Sequence, residues 1–212
     1  MKPTIAVFLH HPRTSVQSGN GIIQSLQNYY NFKIFTRHEL EREFFDDVDC
    51  VAFPGGIGDS DSYDWLFKTN GSVIRNYLNR GGRYLGICMG AYWADQNYFN
   101  ILDHIQVVQY IRRPGTDTRR PHAKACSITW QGRQEQMYFY DGCAFTGTGP
   151  RETIATYANG DPMAIIQDRI GLIGCHPESQ EFWYDKQYLK RHWHHGQHNQ
   201  LLLDFVNQLF TK

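Results

Sequence analysis

Arg83-Tyr84-Leu85-Gly86-Ile87-Cys88-Met89-Gly90 is an apolar run that ends on a cysteine held between glycines. Arg83 to Ile87 reads as a buried strand, and Met89 to Gln96 has helix-forming character. Glycines on both sides let the backbone turn sharply, so the Cys88 side chain stands at the strand's carboxyl end. That is the physical content of a nucleophile elbow, G-x-S-x-G, with cysteine in place of serine. The next main-chain N–H, from Met89, would point towards an oxyanion, and a helix N-terminus would favour a thiolate. The plainer alternative is a buried, inert cysteine, since free cysteine is often buried.

A cysteine nucleophile needs a base, and the base needs a third group to fix its tautomer. Ile170-Gly171-Leu172-Ile173-Gly174-Cys175 reads as another buried strand and runs into His176-Pro177-Glu178. Pro177 stiffens the turn, and Glu178, two residues past the histidine, can lie beside the imidazole. Upstream, the short apolar strand Cys50-Val51-Ala52-Phe53 leads into Pro54-Gly55-Gly56. Adjacent glycines after a strand allow main-chain N–H groups close to a ligand, one way to build the other half of an oxyanion hole. An ordinary Pro-Gly turn is the competing reading.

The remaining pattern is strand–helix alternation. Ile5 to His10, Phe32 to Phe35, Val48 to Phe53 and Arg83 to Ile87 read as strands. Gly21 to Tyr30, Arg37 to Phe45 and Ser72 to Arg80 read as the helices between them, the first with both tyrosines on its apolar side. Such alternation implies a parallel sheet covered on both faces. Residues 105–157 switch to short β-like runs separated by turns: Ile105 to Tyr110, Ser127 to Trp130, Gln136 to Tyr140 and Thr153 to Tyr157. A hairpin over Ala164 to Gly174 would deliver His176, and Asn199 to Leu209 reads as a closing helix.

These motifs in this order resemble the class I glutamine amidotransferase-like superfamily, and within it the N-terminal domain of biotin-protein ligases. The resemblance is carried by Phe53-Pro54-Gly55-Gly56, by Ile74-Arg75-Asn76-Tyr77 with Gly81 to Tyr92, and by Gly174-Cys175-His176-Pro177-Glu178. It implies one α/β domain over 1–212, a flavodoxin-like three-layer sandwich with a mostly parallel central sheet and extra antiparallel hairpins. It also implies Cys88 as nucleophile, His176 as base and Glu178 as its partner, with Gly55, Gly56 and Met89 forming the oxyanion hole. The activity implied is hydrolysis of an amide or related acyl bond, or a ligand-binding module that keeps the triad architecture. Members usually carry a glutamine four residues after the cysteine, where this chain has Tyr92. Neither a synthetase partner domain nor the biotin-ligase catalytic domain, with its Gly-Arg-Gly-Arg loop, is expected in 212 residues.

Composition narrows the ligand. Lys+Arg and Asp+Glu both total 21, so no global field favours nucleic acid or an anionic membrane, and a small-molecule substrate is easier to accommodate. Five cysteines, an odd number without scaffold spacing, fit reduced thiols in a cytoplasmic protein, and a homodimer is compatible with the chain. No cofactor is implied. Tyr63, Tyr92 and Trp93 lie near the motif ends and are candidate substrate-binding residues. His192-Trp193-His194-His195-Gly196-Gln197-His198 reads as a solvated polar face rather than a metal site, because Gly196 interrupts the helix. Arg112-Arg113 and Arg119-Arg120 flank a loop that either overhangs the site or is simply solvated.

Overall fold

The computed structural model describes residues 2–9, 16–56, 63–68 and 70–212. Its strands are β1 (Thr4–Phe8), β2 (Asn31–Phe35), β3 (Cys50–Phe53), β4 (Arg83–Ile87), β5 (Ile105–Gln109) and β6 (Lys124–Trp130). The series continues with β7 (Arg133–Phe139), β8 (Cys143–Gly147), β9 (Glu152–Tyr157), β10 (Pro162–Gln167) and β11 (Ile170–Ile173). The helices are α1 (Val16–Leu26), α2 (Asp64–Lys68), α3 (Gly71–Asn79), α4 (Met89–Tyr92) and α5 (Gln197–Phe210).

Among the described residues, nine strands form one sheet in the order β2-β1-β3-β4-β11-β10-β9-β6-β7, and β5 pairs with β8 apart from it. From β2 to β11 every pairing is parallel; from β11 to β7 every pairing is antiparallel. The hairpins therefore extend the parallel sheet sideways. Side chains alternate across it with the period of two that a strand imposes. Ile5, Val7, Cys50, Ala52, Leu85 and Ile87 join the core under α1 and α5, whereas Ala6, Phe8, Val51, Phe53 and Tyr84 join the core under α2 and α3. Two apolar layers on one sheet give the three-layer α/β sandwich that the alternation predicts. Among the described residues no helix is long and apolar enough to cross a membrane.

Several boundaries differ from the sequence reading, each for a local reason. The first helix starts earlier and ends at Leu26, so its two tyrosines part company: Tyr30 is buried and Tyr29 is exposed. The stretch Arg37 to Phe45 forms two 3-10 turns, Arg37–Glu39 and Arg42–Phe45, the first closed by a reciprocal capping box between Thr36 and Glu39. The expected helix from Met89 to Gln96 is a single turn, Met89–Tyr92. Strand β8 carried no alternating signal, because Cys143, Ala144 and Phe145 are all buried.

Register decides the site. β4 lies between β3 and β11, with Phe53 opposite Gly86 and Ile173 opposite Ile87. The residues that follow these three parallel strands, Pro54-Gly55-Gly56, Cys88 and Gly174-Cys175-His176, therefore emerge at one edge. Open α/β sheets gather ligand sites at this carboxyl edge.

Candidate functional site

Cys88 occupies a backbone conformation that side chains rarely adopt, φ 52° and ψ −106°, between the last residue of β4 and the first of α4. Its N–H donates to the Ile173 carbonyl at 2.9 Å, so the turn is clamped to the neighbouring strand. Such strain persists only where the surroundings over-determine it, and it clusters at functional sites. Gly90 is required for the turn, because a Cβ there would strike the Phe53 carbonyl. The bend thus packs directly on the strand that feeds the Gly55-Gly56 loop. Because α4 is one turn long, its dipole supplies little of the thiolate stabilisation that a longer helix would give.

His176 and Glu178 come together as their spacing suggests. His176 Nδ1 lies 2.8 Å from Glu178 Oε1, with the imidazole 5 % exposed and the carboxylate fully buried. Burial works against the imidazolium, but the charges of Glu178 and Cys88 and hydrogen bonds to both side chains outweigh it, raising His176 to about 10. Glu178, His176 and Cys88 thus form one buried cluster in which the imidazole is the group whose charged form is favoured. Trp183 and Tyr138 meet the imidazole edge-on, at ring-centroid distances of 5.3 and 5.9 Å.

The oxyanion assignment is altered at Gly55. Its N–H donates to Ser18 Oγ at 3.0 Å and so is already engaged. What Gly55 contributes is closeness: a Cβ there would lie 2.7 Å from His176 Cε1. Gly56 packs against the Met89 side chain, which leaves the main-chain groups of Gly56 and Met89 as the candidate pair on the two loops.

Two of the three expected substrate-binding aromatics are core residues instead. Tyr63 and Trp93 are both fully buried, with rings 4.8 Å apart, in the cluster that also holds Phe53, Phe67 and Phe99. Their proximity to the motif in sequence reflects packing beneath the elbow. Tyr92 is half-buried, and its hydroxyl donates to the carbonyls of Asp141 and Gly142, both at 3.2 Å. It holds the loop whose Tyr140 carbonyl receives the Cys88 thiol, 3.6 Å away.

That loop had no signal in the sequence. The Tyr138 carbonyl accepts the main-chain N–H of His176 at 2.9 Å, so residues 138–140 contact both Cys88 and His176. Ser18 was equally silent: fully buried on α1, its hydroxyl donates to Glu178 Oε1 at 2.7 Å. A cleft of about 600 Å³ is lined by Gly21, Gln24, Glu178, Gln180, Phe182 and Trp193 among others, and its lining includes neither Cys88 nor His176.

The other polar motifs resolve differently. His194 and His198 are buried, not solvated, with rings stacked 4.1 Å apart. Arg113 forms a two-pronged pair with Asp161 at 2.8 and 3.1 Å, which takes it away from any ligand, while Arg112 is exposed.

Residues 11–112 match the family described as Biotin-protein ligase, N terminal. No curated protein matches the chain. Among solved structures it is similar to a glutamine amidotransferase from Thermotoga maritima, at 12% identity and a TM-score of 0.70, over 99% of this chain and 98% of that one. A second glutamine amidotransferase aligns at 15% identity and a TM-score of 0.66, over 97% and 98% of the two chains. One from Methylobacillus flagellatus aligns at 15% identity and a TM-score of 0.57, over 87% and 73%. At these identities the likeness is one of fold. The chain has the class I glutamine amidotransferase-like fold, and its residues 11–112 are similar to the N-terminal region of biotin-protein ligases.

Proposed function

We propose that this protein is a cysteine-dependent hydrolase of an amide or related acyl bond, with Cys88, His176 and Glu178 as its triad. The observation that carries the reading is the strained Cys88 elbow, coupled by charge and hydrogen bond to a His176 whose other nitrogen is held by Glu178. The Cys88 sulfur attacks the carbonyl carbon, and the oxygen takes up the negative charge facing the Met89 and Gly56 N–H groups. His176 gives its proton to the leaving nitrogen as the C–N bond breaks, leaving a thioester on Cys88. Water then attacks the thioester while His176 takes its proton. The C–S bond breaks, an acid leaves, and the sulfur regains its original state.

Thiol labelling tests this. Burial keeps the other four cysteines protonated: Cys126 is pushed up to about 12, and Cys50, Cys143 and Cys175 are likewise raised well above the ordinary thiol value. Iodoacetamide at pH 6 is expected to modify Cys88 first, with His176→Ala slowing that reaction by about tenfold or more. Equal labelling of Cys88 and Cys126, or indifference to the histidine change, would reject the triad.

A second reading, a ligand-binding module on the same fold, is favoured by one observation: Cys88 is only 7 % exposed. Fast, selective labelling separates the two, because a module without chemistry has no need of an activated thiol.

A further inference from the structure

The Ser18 hydroxyl stands between two parts of the site that come from distant stretches of chain. Its Oγ accepts the Gly55 N–H at 3.0 Å and donates to Glu178 Oε1 at 2.7 Å. A hydroxyl has one proton to give, and a carboxylate only accepts. The relay therefore runs one way, from Gly55 to Ser18 to Glu178. Glu178 Oε1 also meets His176 Nδ1, so Nδ1 must carry the proton there and Nε2 is left for Cys88. Among the described residues Glu178 Oε2 has no hydrogen-bond partner. Ser18 and His176 thus hold the carboxylate by one oxygen.

We propose that Ser18 is a positioning residue of this site, coupling the Pro54-Gly55-Gly56 loop to the His176–Glu178 pair. The proposal rests on the reading of Cys88 and His176 as the reacting pair. Its physical basis is that one buried hydroxyl fixes two orientations. Without it, Glu178 keeps a single donor and can rotate, and the Gly55 amide loses its acceptor in a buried position. Gly55 also packs against His176 Cε1, so any shift of the loop alters what touches the imidazole. The hydroxyl and the glycine therefore act on the histidine from two sides. The neighbouring turns of α1 pack closely against the rest of the site. A Cβ at Gly21 would strike the Glu178 main chain, and one at Gly19 would lie 2.8 Å from a Leu9 methyl.

The test compares the full-length wild type with Ser18→Ala and Ser18→Thr. Three readouts are used: exchange of the Gly55 amide, NMR titration of His176, and the pH profile of Cys88 alkylation by iodoacetamide. Ser18→Ala, folded by circular dichroism, is expected to speed Gly55 exchange and slow alkylation, each by about tenfold, the size of one hydrogen bond to a charged group. His176 is expected to titrate lower, because a misoriented carboxylate supports the imidazolium less. Ser18→Thr, which keeps the hydroxyl, should restore the His176 titration. A folded Ser18→Ala with all three readouts unchanged overturns the proposal. Should the alanine variant fail to fold, wild-type Gly55 exchange decides: protection supports the coupling, and exchange at the rate of an open loop overturns it. Unselective labelling of wild-type cysteines, with Gly55 and His176 still responding to Ser18, would reject the hydrolase and leave the coupling standing.

Discussion

His176 Nδ1 and Glu178 Oε1 lie 2.8 Å apart with a single proline between the two residues, and neither side chain has appreciable access to water. The short spacing makes the acid local to the base, so its charge acts on the imidazole without any long-range assembly. Glu178→Gln keeps the shape and removes the charge. We expect His176, now raised to about 10, to titrate several-fold lower in proton affinity, and stability to fall by about 1–3 kcal/mol. The sign follows from linkage. A histidine raised on folding stabilises fully below its unfolded value near 6.5, and that contribution disappears as pH rises through about 10. Urea midpoints of wild type and variant should therefore differ most at pH 6 and converge above pH 10.

His194 and His198 behave oppositely. Burial pulls His194 down to about 3, helped by the neighbouring His198, and pulls His198 down to about 4. Neutral His194 caps α5: its Nδ1 accepts the Gly196 and His198 N–H groups at 3.1 and 3.3 Å, and its Nε2 donates to the Ser179 carbonyl. Both rings bind protons more readily when unfolded, so stability should fall as pH drops from about 6.5 towards 4. His194→Asn should flatten that slope in denaturant titrations. An unchanged slope would mean that other groups govern the acid limb.

Trp93 separates core from pocket. Trp93→Ala is expected to cost about 3–5 kcal/mol, because the ring is fully buried against Tyr63, Phe53 and Phe67. Trp93→Phe should recover much of that. A folded Trp93→Phe should label at Cys88 at the wild-type rate, whereas a residue that contacts substrate or nucleophile would change it.

Tyr92 stands four residues after Cys88, where the sequence resemblance implies a glutamine, and its hydroxyl is committed to main-chain carbonyls. We expect ammonia release from free glutamine to stay near background. Release that is efficient and lost in Cys88→Ala would show that another group holds the substrate. Tyr92→Phe frees the 141–142 carbonyls and should raise amide exchange in that loop.

The parts of this molecule that could be read from its residues are those encoded locally. The bounds Arg83 and Ile87 of the strand before Cys88, the strand that begins at Ile170 and the His176–Glu178 contact all rest on neighbours in sequence, where period, glycine placement and a two-residue spacing suffice. Tyr63 and Trp93 were misplaced because an aromatic side chain carries no mark of whether it faces a cavity or the layer beneath. Ser18 and the Tyr138–Tyr140 bracket were invisible for a related reason. Their importance comes from partners 160 residues away in one case and about 50 in the other, and a lone serine or a carbonyl has no pattern. Gly55 was read as a donor when its N–H is already taken, since a Pro-Gly-Gly turn says nothing about what stands opposite.

The place of β4 between β3 and β11 has a consequence in time. One neighbour is synthesised some thirty residues before the cysteine, and the other more than eighty residues after it. As the chain leaves the ribosome, the elbow and its glycine loop can pair early. Strand β11, which leads into His176, must still be inserted from the other side, and such non-local pairings form late. During that interval Cys88 lacks its contact with His176. On the triad proposed above, newly made chains pass through a stage in which the sulfur is present but idle, and reactivity begins only as the sheet closes.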